Sequence, residues 1–186
     1  MRVRENLIIR VPSKSEHKLV ELKAKVENLN VVRGKLTSLG AQYIGTFRQI
    51  DVYFHVPEGR LKLREVEDDN KAELIYYQRE NIAEPKRSDV FILKVQEPAF
   101  LKTLLGKLLK IRATVEKVRE IYRYQGTQIH LDRVKKLGTF LEFERETSAG
   151  AQAIRNNRRV LGKLMEKLGI SSESLEELSY SDLIQK

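Results

Sequence analysis

The stretch GRLKLRE, residues 59–65, sets Arg60, Lys62 and Arg64 against Leu61 and Leu63 in strict alternation. Successive side chains of an extended chain point to opposite faces, so these residues predict a strand with one cationic and one apolar face. The same parity recurs on either side. Upstream, Val20, Leu22, Ala24 and Val26 share one face, and Leu19, Glu21, Lys23 and Lys25 share the other. Downstream, ATVEKVREIYRY (113–124) groups Lys117, Arg119 and Arg123, QIHLD (128–132) groups Gln128, His130 and Asp132, and TFLEFERE (139–146) groups Glu142, Glu144 and Glu146. KAELIYYQR (71–79) and DVFILKV (89–95) read as further strands from their aromatic and branched residues.

Helical patterning is confined to LNVVRGKLTSLG (29–40), PAFLKTLLGKLLK (98–110), AQAIRNNRRVLGKLMEKLG (151–169) and a short tail for which Ser179 supplies an N-cap. No repeat, low-complexity segment or linker interrupts the chain, and 186 residues suit a single domain, 1–186, with an N-terminal extension over 1–15.

Taken singly, each alternating strand fits the solvated outer face of an ordinary sheet. Together they argue for something else, because strand after strand carries long cations and two carry paired acids. A closed antiparallel barrel of about eight strands removes exposed edges and turns alternate residues inward. The fold class expected is therefore α+β: a polar tunnel with helices packed on its apolar outer faces.

Composition bounds the chemistry. Hydrophobic residues make up 41% of the chain, enough for a packed core. The chain has no cysteine, which removes disulfides, thiolate metal sites and cysteine nucleophiles, so a metal must sit on oxygen or on one of three histidines. The N-terminal apolar run is too short for a signal peptide or a spanning helix, so the expectation is a cytoplasmic protein with no membrane partner. Lysine and arginine exceed aspartate and glutamate by 35 to 26, which suits a polyanionic partner. A nucleic acid is disfavoured, since the aromatic residues are not interleaved with the cations as a stacking platform requires.

The inward cations fit a polyphosphate: lysine offers point charges and arginine a fork for two phosphate oxygens. Glu21, Asp132, Glu142 and Glu144 offer the oxygen ligands that Mg2+ or Mn2+ prefers, although pairing of Glu142 and Glu144 with the basic side chains alone remains open. His17 and His55 read as surface or turn residues, His130 as a packing or hydrogen-bonding neighbour of Asp132, and Lys135–Lys136 as a solvated turn. No nucleophile elbow or glycine-rich phosphate loop is present, so no catalytic side chain is assigned.

From about Leu19 to Leu183 the chain resembles the CYTH domain of the triphosphate tunnel metalloenzymes, which include class IV adenylyl cyclases and thiamine triphosphatases. Leu19-Val20-Glu21-Leu22-Lys23-Ala24-Lys25-Val26 is similar to the family's N-terminal Glu-x-Glu-x-Lys signature, with Leu19 in place of its first acid. QIDVYF, GRLKLRE, VEKVREIY, IHLDRVKKLGTFLEFE and SYSDLI follow in the family's order, with Gln128 where an arginine is common and Tyr77 near a frequent lysine. The resemblance implies that Glu21, Glu142 and Glu144, with Asp132 as a further candidate, hold Mg2+ or Mn2+. It implies that Lys23, Lys25, Lys62, Arg64, Lys117 and Arg119 hold phosphates. The implied activity is metal-dependent turnover of ATP, thiamine triphosphate or inorganic triphosphate, as a cyclase-like phosphorus–oxygen lyase or a triphosphatase. The departure at Leu19 keeps a non-catalytic polyphosphate binder as the alternative, and a homodimer is among the assemblies allowed.

Overall fold

A computed structural model describes residues 14–67 and 72–186, so most of the expected N-terminal extension and Lys71 lie outside the described residues. The strands are β1 (Lys14–Lys25), β2 (Gln42–Phe54), β3 (Arg60–Val66), β4 (Ala72–Arg79), β5 (Lys86–Val95), β6 (Ile111–Tyr124), β7 (Thr127–Val134) and β8 (Gly138–Glu146). They close into a barrel in the order β1-β5-β4-β3-β2-β6-β7-β8, every neighbouring pair antiparallel. The closed α+β tunnel expected from the alternation is the fold observed. β1 and β5 begin earlier than the alternation alone marked, because Lys14–Leu19 pairs with Ser88–Leu93.

Local chemistry sets the turns. Gln125 and Gly126 both adopt positive φ (46° and 74°), as a two-residue hairpin joining twisted strands requires. Gly59, at φ 68°, precedes Arg60 where a Cβ would meet the Tyr76 hydroxyl at 2.8 Å, so a glycine is needed to start β3.

The barrel is apolar outside and charged inside. On its outer face Val20 and Leu22 of β1, Ile129 and Leu131 of β7, and Leu141 and Phe143 of β8 are buried. Their cover is α1 (Leu29–Ser38), through Leu29, Val32 and Leu36, and α3 (Ala151–Lys167), through Leu161 and Leu164. α2 (Pro98–Leu109) covers Val52, Phe54 and Leu63 with Leu101, Leu105 and Leu109. Burial of each such side chain contributes about 1.5–3 kcal/mol, so the helices stabilise a barrel whose interior cannot stabilise itself by apolar contact.

One end of the tunnel is stoppered. α4 (Tyr180–Leu183) inserts Tyr180 against Phe140, with ring centroids 5.0 Å apart, and beside Tyr53, Val115 and Val134. Ser179 and Asp182 form a reciprocal capping box, and the Asp182 carboxylate also accepts from Arg60 (2.8 Å) and Arg112 (2.6 Å). Partial burial would raise the Asp182 carboxyl, but the Ser179 and Arg60 donors pull it down to about 2. We expect Asp182→Ala to cost about 2–3 kcal/mol in urea unfolding, since a cap and two charge-assisted bonds go together. A carboxyl depressed in the folded state stabilises above its unfolded pKa, so the difference from wild type should shrink as pH falls from about 4 toward about 2.

Candidate functional site

The interior is a cavity of about 820 Å³ to which all eight strands contribute. Parity decides who enters it. Lys23, Lys62, Lys117 and Arg119 are buried, and Glu21, Arg64, Arg79, Glu142 and Glu144 are half-buried, all lining the same space.

Cations are densest on one arc of the ring, with Lys23 of β1 and Arg79 of β4 beyond it. β3 and β8 stand four places apart in an eight-strand closure, hence on opposite walls. The β2–β3–β6 wall carries Lys62, Arg64, Lys117 and Arg119, and β8 carries Glu142 and Glu144. The cationic wall is held by Asp51, fully buried, which accepts from Lys62 (3.0 Å), from both nitrogens of the Arg64 fork (2.8 and 3.0 Å) and from Lys117 (2.6 Å). Burial alone would raise the Asp51 carboxyl, yet Arg64, Lys117 and Lys62 hold it well below the usual carboxylate range. Burial and neighbouring cations, against the pull of Asp51, bring Lys62 down to about 8 and Lys117 to about 7.

Arg119 joins the two walls. Its guanidinium donates to both oxygens of Asp132 (2.7 and 2.5 Å) and to Glu142 (2.6 Å), and Asp132 also accepts from the Tyr180 hydroxyl (2.8 Å). Asp132 is thus spent on orienting Arg119 and Tyr180, and it lies behind the residues that line the cavity. Lys23 reaches Glu142 at 3.2 Å and sits 4.0 Å over the Tyr180 ring. Burial would raise the Glu142 carboxyl, but Lys23 and Arg119 keep it well below the usual range, hence ionised. Glu21 is paired with Arg79 at 2.5 Å. Lys25 shares the parity of Glu21 and Lys23 but falls at the last residue of β1, exposed and outside the cavity.

Sequence reasoning missed several side chains that shape this space. Asp51 has the parity of Gln49 and Tyr53 and lies opposite Arg64, but alternation alone does not say which cations an acid will clamp. Arg79 is the end of a strand otherwise read from its aromatics, and Tyr180 comes from a helix rather than a strand. Lys86, 1% exposed, donates to the carbonyls of Ile82, Glu176 and Glu177 and ties the C-terminal segment to β5.

The donor set fits a hard or borderline divalent cation. One ligand atom each of His130, Glu142 and Glu144 lie within 4.8 Å of one another, and two of the three are carboxylates. The cavity therefore offers donors for an anion and, beside them, carboxylates for a cation.

Comparison with known proteins agrees with the geometry. The family model described as the CYTH domain matches residues 17–180. A Methanocaldococcus jannaschii protein provisionally assigned as an adenylate cyclase is 29% identical over 176 residues, covering 88% of this chain and 97% of its own. A solved structure from Pyrococcus horikoshii OT3 superposes with a TM-score of 0.80 at 26% identity, covering 89% of this chain and 98% of that one. A Hippeastrum protein described as having a dominant triphosphatase activity shares the fold with a TM-score of 0.62 at 15% identity, covering 91% and 95%. With its closed tunnel of alternating charge and a match over nearly its whole described length, this chain belongs to the CYTH domain family.

Proposed function

We propose that the chain binds a triphosphorylated small molecule together with Mg2+ or Mn2+ inside the tunnel and turns it over by attack at phosphorus. The observation that carries this reading is one cavity lined both by a cationic arc, Lys62 and Arg64 of β3 with Lys117 and Arg119 of β6, and by the β8 carboxylates, which β3 faces and Arg119 reaches. A bare polyanion would meet Glu142 and Glu144, and a bare cation would meet Arg64 and Lys62. A metal–triphosphate complex satisfies both walls at once.

Lys23, Lys62, Arg64, Lys117 and Arg119 take the phosphate oxygens, and Glu142 and Glu144, with Glu21 if it leaves Arg79, take the metal. A bound divalent ion there supplies charge neutralisation for the phosphates. The protein's own part is positioning: Asp51 and Asp132 fix the cations before the ligand arrives, so little reorganisation remains for the reaction. Attack by a ribose hydroxyl of ATP gives cyclic AMP and pyrophosphate, whereas attack by water gives a triphosphatase, the activity described for the Hippeastrum relative. Leu19, on the cavity wall opposite Glu146, favours a second reading, a binder without turnover.

Incubation with ATP, thiamine triphosphate and inorganic triphosphate, each with Mg2+ or Mn2+, tests the proposal. Cyclic AMP with pyrophosphate, or released phosphate, supports an enzyme, and binding without product supports the second reading. Failure to bind any of the three would sink both. We expect Arg64→Ala to weaken calorimetric triphosphate affinity by about 1.5–3 kcal/mol.

Proton linkage gives a second check. An anion in the cavity favours the charged forms of Lys117 and Lys62, which stand at about 7 and about 8 without it. Binding should then take up protons near pH 8, and affinity should fall as pH rises from about 7 to about 9. Calorimetry in buffers of different ionisation enthalpy reads this uptake, and Lys117→Met should diminish it.

A further inference from the structure

The register around β8 places Glu142 between Lys23 of β1 and His130 of β7, and Glu144 between Glu21 and Gln128. On the β1 side Lys23 is a cation and Glu21 is paired with Arg79, as Glu142 is with Lys23 and, through Oε2, with Arg119. On the β7 side stands His130, 1% exposed, whose Nδ1 has no hydrogen-bond partner among the described residues. A buried polar atom without a partner is uncommon and asks for an explanation.

Nδ1 lies 3.7 Å from Oε2 of Glu142 and 3.7 Å from Oε1 of Glu144. That is too long for a hydrogen bond to either. It suits two donors that share a cation, because bonds of about 2.1 Å from one ion hold its ligands roughly 3 to 4 Å apart. The Gln128 side-chain amide lies 2.9 Å from the other ring nitrogen, Nε2. A half-turn of that amide presents its oxygen to Nε2–H, which puts the ring proton there and leaves the Nδ1 lone pair facing the glutamates.

We propose that His130 is a metal ligand through Nδ1, completing a histidine–dicarboxylate site with Glu142 and Glu144, oriented by Gln128. The proposal rests on the metal-dependent reading given above and narrows it. Mg2+ favours a shell made only of oxygen, whereas an imidazole donor suits transition metals, Zn2+ better than Mn2+. The site therefore discriminates among divalent ions, preferring a transition metal, with open positions left for water and phosphate oxygens.

Pulsed electron paramagnetic resonance on the metal-stripped full chain reloaded with Mn2+ tests this, with and without inorganic triphosphate. Modulation from a directly bound imidazole nitrogen is expected, altered by isotopic labelling of histidine nitrogen and absent from His130→Ala. That variant should bind Mn2+ about tenfold or more weakly while its Mg2+ affinity changes little. Labelling needs no substitution, so a variant that fails to fold leaves the measurement intact. Mn2+ bound without nitrogen modulation, or modulation that persists in His130→Ala, would overturn the assignment of His130. If triphosphate binding survives in that case, the tunnel reading stands alone; if neither Mn2+ nor triphosphate binds, both fall.

Discussion

Everything in this molecule follows from closing a sheet with its charged face inward. A lone ion moved out of water costs several kcal/mol even after relaxation, so an interior of lysine, arginine and glutamate exists only where each charge finds a partner. Asp51 clamps Lys62, Arg64 and Lys117, and Arg119 links Asp132 to Glu142. Folding stability has to come from elsewhere, which is why the outer faces of the strands are apolar and helices lie on them. The usual division of a soluble protein is reversed in the barrel wall and restored by the helical cover.

That reversal also prepares the site. The buried carboxylates fix long cationic side chains whose rotamer entropy would otherwise be lost on binding. Because Lys62 and Lys117 are held at depressed pKa values, the cavity can shed part of its positive charge, and an anion would restore it. Under the proposed function, stability and recognition share residues. A substitution that relieves crowding among the cations should make a sturdier barrel and a poorer binder.

Much of this was legible in the sequence, and parity explains why. RLKLR in β3 and the Glu142–Glu144 pair in β8 reveal their faces because a strand has period two and its inward set is uniformly charged. The same rule cannot tell where a strand runs out of barrel: Lys25 has inward parity yet emerges at the end of β1, in the open. Nor does it report neighbours across the ring. His130 reads as a packing or hydrogen-bonding neighbour of Asp132, and its place against Glu142 and Glu144 appears only once β7 and β8 are set in register. Tyr180 stoppers the tunnel from a helix some fifty residues beyond the strand partner it touches, a contact no local pattern encodes.

In the proposed function the cationic arc and the β8 carboxylates of one cavity receive opposite ends of one complex. A crystal structure with Mn2+ and a non-hydrolysable ATP analogue tests it most directly. The account requires phosphate oxygens on Lys62, Arg64, Lys117 or Arg119 and an anomalous manganese peak against Glu142 and Glu144. Phosphates bound on the outer surface, with the cavity ion pairs undisturbed, would contradict it.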